Sequence, residues 1–259
     1  MIEMRKKEFT NGIVYALKTK DGYLVETTDT FLPLYTKDCI NGHSNSLKND
    51  YIGDRSERWM IGVSVQSGCP VHCKFCATGQ LKKWRNLSAE EIIQQVEFII
   101  SQNKQDPNQS KEFKINYTRM GEYSLNKDEI KTAIEIINKK YPNVHHFIST
   151  VGVKNDDFSW VKDNITLQIS VHSLNEEYRD WLIPIKNKMT LKELGQIRTQ
   201  SNLKTTLNLT LTNQEKLDVK KLREYFDPQY FFIKLSPLNE NCISKENHME
   251  TVIDVKNVI

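Results

Sequence analysis

Gly68-Cys69-Pro70-Val71-His72-Cys73-Lys74-Phe75-Cys76 sets three thiols at C-x3-C-x2-C spacing, with an aromatic ring directly before the third. A four-iron cluster ordinarily takes four thiolates. Three from one tight loop leave one iron open, and an open metal position is where a small ligand coordinates and reacts. Other chemistries use the same residues. Cys73 and Cys76, with Cys69 and His72, carry the sulfur and nitrogen donors of a structural zinc site. Such sites usually pair two separated ligand doublets, and no second doublet follows here. Cys39 and Cys242 are isolated singles. A disulfide fits less well, because nothing in the chain suggests export.

The segment before this loop, 60–66, alternates apolar and small residues and reads as a strand that runs straight into it. Upstream, 13–17 and 22–27 flank Lys20-Asp21-Gly22, a hairpin signal. From Tyr35 to Arg58 the chain turns polar and reads as a long loop holding Cys39. Downstream, Ser88-Ala89-Glu90-Glu91 is a capping box, and the helix after it places Ile92, Ile93, Val96 and Ile99 on one face. Then follow strand 113–119, helix 127–140, strand 144–150, a short helical stretch near 156–162 and strand 164–170. Thr190 to Glu193 caps another helix, before strand 204–211, helix 214–226 and strand 230–236. The rest is a tail with room for one helix.

Strands alternating with helices predict an α/β fold, a parallel sheet with helices packed outside it. In such folds chemistry gathers where strands end. The first of the six core strands ends at the three cysteines and the second at Gly121-Glu122. The next two end at Ser149-Thr150 and Ser170-Val171-His172, and the last two near Asn213 and at Ser236 and Asn239. Small polar groups thus recur at all six ends.

The 259 residues suit one large α/β domain or two small ones. With 38% hydrophobic and 27% charged residues and a mean hydropathy of −0.56, the composition is that of a soluble globular protein. No apolar run approaches a membrane span, and Met1 to Phe9 is charged where a signal peptide would be apolar. The expected compartment is the cytoplasm. The net charge of +3 permits nucleic-acid contact without demonstrating it, and Lys82-Lys83-Trp84-Arg85 reads as solvated surface.

With these residues placed, the chain resembles the RlmN/Cfr subfamily of radical S-adenosylmethionine (radical SAM) enzymes, which methylate adenine in 23S ribosomal RNA and, for RlmN, also in tRNA. The match is densest over Gln66–Val96, in Gly68-Cys69, Phe75-Cys76, Thr78-Gly79, Arg85-Asn86-Leu87 and Ala89 to Ile93. It continues through Met120-Gly121-Glu122, Ser149 to Gly152, Ser170-Val171-His172, Arg179-Asp180, Pro184-Ile185 and Leu235-Ser236-Pro237, covering about residues 14–240. The resemblance implies a partial (β/α)6 barrel over 59–240, with a small N-terminal β-extension over 1–58 and a tail over 241–259. It implies a 4Fe-4S cluster on Cys69, Cys73 and Cys76. It also implies S-adenosyl-L-methionine held by Gly121, Glu122, Ser149, Ser170, Val171, His172 and Asn213, with Glu122 facing the SAM ammonium. Glu26 aligns with the family's proton acceptor on adenine; read by spacing alone it is an exposed strand residue beside a turn. The implied partners are an RNA or nucleotide substrate and an electron donor such as flavodoxin or ferredoxin.

The departures from the family pattern are specific. The family's methylation uses two further cysteines. One lies seven residues before the first cluster cysteine, and here that position is Gly62, which forms no thiolate. The other lies well beyond the sixth strand, and this chain has no cysteine after Cys242. Tyr123 stands where the family has proline, and the family's N-terminal helical RNA-binding domain has no counterpart before Glu8. Three functions follow as expectations. The first is an enzyme that makes the deoxyadenosyl radical without the two-cysteine relay. The second is an RNA adenine methyltransferase in which Cys39 or Cys242 serves instead. The third is a metal-stapled RNA-binding module without catalysis, which the intact Gly121-Glu122 and Ser170/His172 argue against.

Overall fold

The computed structural model describes residues 1–34 and 52–252; Cys39, most of the polar stretch and residues 253–259 lie outside them. In chain order the strands are β1 (Ile2–Phe9), β2 (Gly12–Lys18), β3 (Leu24–Leu32), β4 (Arg58–Gly62), β5 (Gln66–Ser67), β6 (Arg85–Asn86), β7 (Glu112–Tyr117), β8 (Val144–Thr150), β9 (Ile165–Ser170), β10 (Thr205–Leu211) and β11 (Phe231–Pro237). The helices are α1 (Ala89–Ser101), α2 (Lys127–Lys140), α3 (Glu176–Leu182), α4 (Leu191–Gly195), α5 (Val219–Tyr225) and α6 (Cys242–Glu246). These elements fall into two compact units, and β8 begins in the first and ends in the second.

The first unit comprises residues 1–65, 87–119 and 128–146. Its strands lie in the order β1-β2-β3-β4-β7, antiparallel up to β4 and parallel between β4 and β7. A parallel pair needs a long crossover, and α1 lies in it. Trp59, Ile61, Phe113 and Ile115 alternate onto one face, where they are buried, as are Ile92, Val96 and Ile99 of α1. The expected capping box opens α1: Ser88 accepts from the Glu91 N–H, and Glu91 accepts from that of Ser88. Buried Asp29 on β3 accepts from the Trp59 indole at 2.9 Å, from Asn103 at 3.0 Å and from the Arg55 fork. Gln95 of α1 clamps the backbone of Ser64, accepting its N–H and donating to its carbonyl, both at 2.9 Å. That clamp fixes the chain just before the cysteine loop.

β1 has no counterpart among the expected elements. All eight of its residues are exposed, so it buries no alternate face and shows no period of two. It borders the sheet, and its charged side chains suit an edge that must not pair with another chain. The hairpin of β2 and β3 is as expected, with Gly22 at φ +90° in the turn.

The second unit comprises residues 66–86, 120–127 and 147–259. Here β9, β10 and β11 run parallel, with Asn208 of β10 beside Ser170 of β9 and Lys234 of β11. Three expectations are corrected in this unit. Residues 156–162 form turns, not a helix: their buried Phe158 and half-buried Trp160 pack on the ring of Tyr123, with Trp160 stacked at 18°. Tyr123 thus anchors an aromatic cluster with Phe158 and Trp160. The helix expected over 214–226 begins only at Val219, capped by Asp218, because Asn213 and Gln214 bond the backbone at His248 instead. α3 was not expected; Asn175 caps it by accepting from the N–H groups of Glu177 and Tyr178. In the first unit, β4 ends at Gly62 rather than continuing to Gln66. Among the described residues no helix is long and apolar enough to cross a membrane.

In the first unit His146 is fully buried. Its Nδ1 accepts from the Tyr117 hydroxyl and its Nε2 donates to Asn138 Oδ1, each at 3.0 Å. Burial pushes its pKa down to about 3. A histidine depressed in the folded state contributes stability above its unfolded pKa of about 6.5, and that contribution is lost as the pH falls from there toward 3. Thermal melts should therefore show the midpoint falling below pH 6.5 in the native protein. In His146→Ala that pH dependence should flatten, at a cost of about 1–3 kcal/mol at neutral pH from the stranded Tyr117 and Asn138 groups.

Candidate metal centre and strand-end rim

The cysteine loop is closed at its base by a short antiparallel ribbon in which Gln66 faces Asn86 and Ser67 faces Arg85. The Gln66 amide donates to Asn86 Oδ1 at 2.7 Å. Gly68 sits at φ +73°, and a Cβ there would lie 2.7 Å from the Lys83 carbonyl oxygen, so the turn into the loop requires glycine. Across the loop His72 Nδ1 lies 2.6 Å from the Gly79 carbonyl oxygen. From behind, Asn241 donates to the Phe75 carbonyl at 2.8 Å and Asn247 to that of Lys74 at 3.0 Å, while the Lys74 N–H reaches Leu182 O at 2.9 Å. Buried backbone groups must be paired, and α6 supplies partners that a loop without regular structure lacks.

Cys69, Cys73 and Cys76 are free, half-buried thiols. Cys69 and Cys73 pack, with Phe75, against an apolar cluster that includes Val71, Val151, Ile183 and Met249. Burial pushes the Cys69 thiol up to about 12, with Glu122 and Cys76 adding to the effect; Cys73 is raised by burial and by the other two thiols. Bare, these two are protonated at neutral pH, and a bound metal would have to displace those protons. Among the described residues no three His, Cys, Asp or Glu groups stand close enough to hold one metal ion. A single zinc gathers its ligands tightly, whereas a four-iron cluster spreads them. The all-sulfur donor set on one loop fits a cluster.

Beside the loop, Gly121 lies at φ +106°, and a Cβ there would be 2.7 Å from the Gln66 backbone nitrogen. The Glu122 N–H donates to Gln66 Oε1 at 2.9 Å. The Glu122 carboxylate, expected to face a ligand ammonium, is buried and engaged by the protein. It accepts the Thr150 hydroxyl, the Ser124 N–H at 3.1 Å and the Val151 N–H at 3.1 Å. Burial nonetheless raises its pKa. Ser149 and Ser170 lie side by side, hydroxyl to hydroxyl at 3.4 Å.

The N–H groups of Val171 and His172 both bond the Asn208 carbonyl. His172, at φ +58°, meets the edge of the Phe75 ring at 4.8 Å. Its Nδ1 accepts from the Thr210 N–H at 3.3 Å, and burial pushes its pKa down to about 4, with Arg179 adding to the shift. The ring is therefore neutral with its proton on Nε2, a donor. Asn213 is placed differently from the others. It is exposed, and its side chain brackets the tail, accepting from the Glu250 N–H and donating to the His248 carbonyl.

Arg179 of α3 carries a role that the sequence motifs did not assign. Its side chain is fully buried and donates to the carbonyls of Met189 at 2.7 Å, Val151 at 2.8 Å and Val171 at 3.3 Å. Gln66, Asn241 and Asn247 were likewise missed. The Arg179-Asp180 pair belonged to the matching pattern, but nothing in a pattern reveals that one of two adjacent charges is buried.

In the first unit, Glu26 forms an ion pair with Arg119. Its backbone is held by Ser64, which donates its hydroxyl to the Glu26 carbonyl at 2.6 Å. Gly62 lies beneath that pair. A Cβ at 62 would stand 2.4 Å from Thr28 Oγ1 and 2.9 Å from Arg119 Cδ. The position that lacks a thiol also lacks room for one.

Residues 63–226 match the family described as the Radical SAM superfamily. Relatives include probable dual-specificity RNA methyltransferases RlmN from Pseudothermotoga lettingae, 34% identical over 68% of this chain and 54% of that protein, and from Petrotoga mobilis, 32% identical over 71% and 55%. Another from Chlorobium phaeobacteroides is 36% identical over 58% and 43%. The chain thus spans about half the length of these relatives. A crystal structure of a radical SAM methyltransferase from Sphaerobacter thermophilus superposes with a TM-score of 0.68 at 20% identity, over 99% of this chain and 71% of that one. The α/β fold expected from the sequence, a partial barrel with parallel strands, agrees with that match.

Two substitutions test this geometry. Arg179→Lys keeps the charge but cannot reach three carbonyls, and should cost about 1.5–3 kcal/mol per lost charged bond in urea unfolding. Gly62→Ala should cost about 1–3 kcal/mol by overpacking. Adding Arg119→Ala should recover part of that loss, and simple additivity in the double-mutant cycle would show the two positions to be uncoupled.

Proposed function

This chain belongs to the radical SAM superfamily, and on that footing we propose that it is an RlmN/Cfr-like enzyme that cleaves S-adenosylmethionine to act on an RNA base or nucleotide. The observation that carries the reading is the ribbon-closed loop with three free thiols, two of them packed on one apolar cluster, beside a rim of strand ends. In this reading Cys69, Cys73 and Cys76 hold a 4Fe-4S cluster. When bound, such a cluster would supply the one electron that reductive cleavage of SAM requires.

The chain's own residues bind and orient. The left-handed backbone at Gly121 and the buried Glu122 shape the edge that takes the SAM amino group. Ser149 and Ser170 offer hydroxyls, Val171 lends its backbone, and His172 offers its Nε2–H as a neutral donor. Asn213 acts on SAM indirectly, by holding the tail at His248 and Glu250. Glu26, ion-paired with Arg119, stands where the family's proton acceptor on adenine does. The electron comes from a flavodoxin or ferredoxin, and a reducing cytoplasm suits the free thiols.

Gly62 separates this reading from methyl transfer. It stands where the family's resolving thiolate does, and Thr28 and Arg119 fill the space beside it. One observation favours a second reading, an RNA adenine methyltransferase that uses Cys242. That thiol is exposed, and its neighbour Asn241 is bonded to the cysteine loop at Phe75.

Anaerobically reconstituted protein should hold about four irons and four sulfides per chain and release deoxyadenosine from SAM. Cys69→Ala, Cys73→Ala and Cys76→Ala should each abolish both. Stoichiometric zinc without iron in anaerobic preparations would sink the enzyme reading. Intact-mass measurement after expression with labelled methionine should find no S-methyl cysteine. A labelled methyl on Cys242, lost when adenine-containing RNA is added, would establish the second reading in its place.

A further inference from the structure

Residues 66–88 contain Lys74, Lys82, Lys83 and Arg85 and no acidic residue. Within that run, Leu81, Lys82, Lys83 and Trp84 are all exposed, Leu81 by 40% and Trp84 by 47%. The indole does not stand singly: it shares one exposed run with Leu81 and two lysines. It is not on a loose tip. Trp84 precedes β6, whose pairing with β5 fixes it, and its Cβ lies 2.8 Å from where a Cβ on Gly68 would be. Gly68 is the residue before Cys69. The root of the exposed side chain is therefore anchored beside the glycine that leads into the first thiol.

From this we infer that Leu81, Lys82, Lys83 and Trp84 form the docking surface for a small acidic one-electron donor protein, one carrying a flavin or an iron–sulfur centre. The inference rests on the cluster reading given above. An apolar centre with a cationic rim is the anatomy of a protein interface, and redox encounters are small and electrostatically steered. An unpaired nucleic-acid strand would also meet lysines and an indole, but it would be read by successive stacking rings. Here one ring stands beside an aliphatic Leu81 that a base has little use for. The patch also lies on the very loop that the electron must enter. One electron leaves the donor's reduced centre and reaches the cluster held by Cys69, Cys73 and Cys76, and no atom passes between the proteins.

The test uses the full chain and a flavodoxin of acidic surface. Lys82→Glu with Lys83→Glu should weaken binding of oxidised flavodoxin, followed by its flavin fluorescence, about tenfold or more at low salt. The difference from the native chain should vanish at high salt. Lys82→Gln with Lys83→Gln should fall between, and Trp84→Ala should weaken binding at either salt. Cluster reduction by flavodoxin should slow in parallel, while reduction by dithionite stays unchanged. Unaltered flavodoxin binding in these variants would overturn the inference. So would a loss of affinity for single-stranded RNA with flavodoxin binding intact, which would make the patch a nucleic-acid surface. If dithionite fails to drive SAM cleavage in the native chain, the enzyme reading fails, and that result is separate from the binding measurement.

Discussion

Val151 is gripped from both ends by opposite buried charges. Its N–H donates to the Glu122 carboxylate and its carbonyl accepts from the Arg179 guanidinium. Neither charge has water around it, and a buried ion is tolerated only when hydrogen bonds replace its hydration. Glu122 finds them in two backbone N–H groups and the Thr150 hydroxyl, and Arg179 in three carbonyls. Two of those partners, Val151 and Val171, directly follow β8 and β9. Satisfying the two charges therefore anchors the backbone beside Ser149, Ser170 and His172. Removing either charge would strand its own partners and free one end of Val151.

The cysteine loop is held by a different means. It has almost no regular structure between β5 and β6, so its backbone must find partners elsewhere. Side-chain amides supply them: Gln66 joins the ribbon to the Gly121-Glu122 turn, and Asn241 and Asn247 reach the carbonyls of Phe75 and Lys74. Amides carry donor and acceptor in one rigid plane without charge. They can therefore brace a metal loop without adding a net charge. Burial keeps the Cys69 and Cys73 thiols raised in pKa, and a bound metal would have to displace their protons.

In the first unit, chemistry and packing meet at Gly62. Arg119 lies across the glycine and pairs with Glu26, so one side chain both fills the space above position 62 and neutralises the nearby carboxylate. A thiol at 62 would need Thr28 and Arg119 to move together. The neighbours of position 62 are thus packed for a glycine.

Much of this was legible in the residues alone. The bounds of β8 and α2 coincide with their alternating and helical patterns, and the boxes at Ser88 and Thr190 cap α1 and α4 as read. Local patterns report local hydrogen bonds and one buried face, so they succeed where an element has both. β1 buries no face and left no period. Phe158, Trp160 and Val161 imitated a helical stripe, yet two of them serve an aromatic cluster around Tyr123, a partner distant in sequence. The C-x3-C-x2-C spacing by itself singled out three thiols, and the structure holds them free on one loop. What only the tertiary structure decided was the surroundings of each polar side chain. It buried Arg179 and left Asp180 exposed, turned Glu122 inward, committed Asn213 to the tail and paired Glu26 with Arg119. Those surroundings depend on which groups lose water and what replaces it, and the neighbours that replace it come together only when the chain is folded.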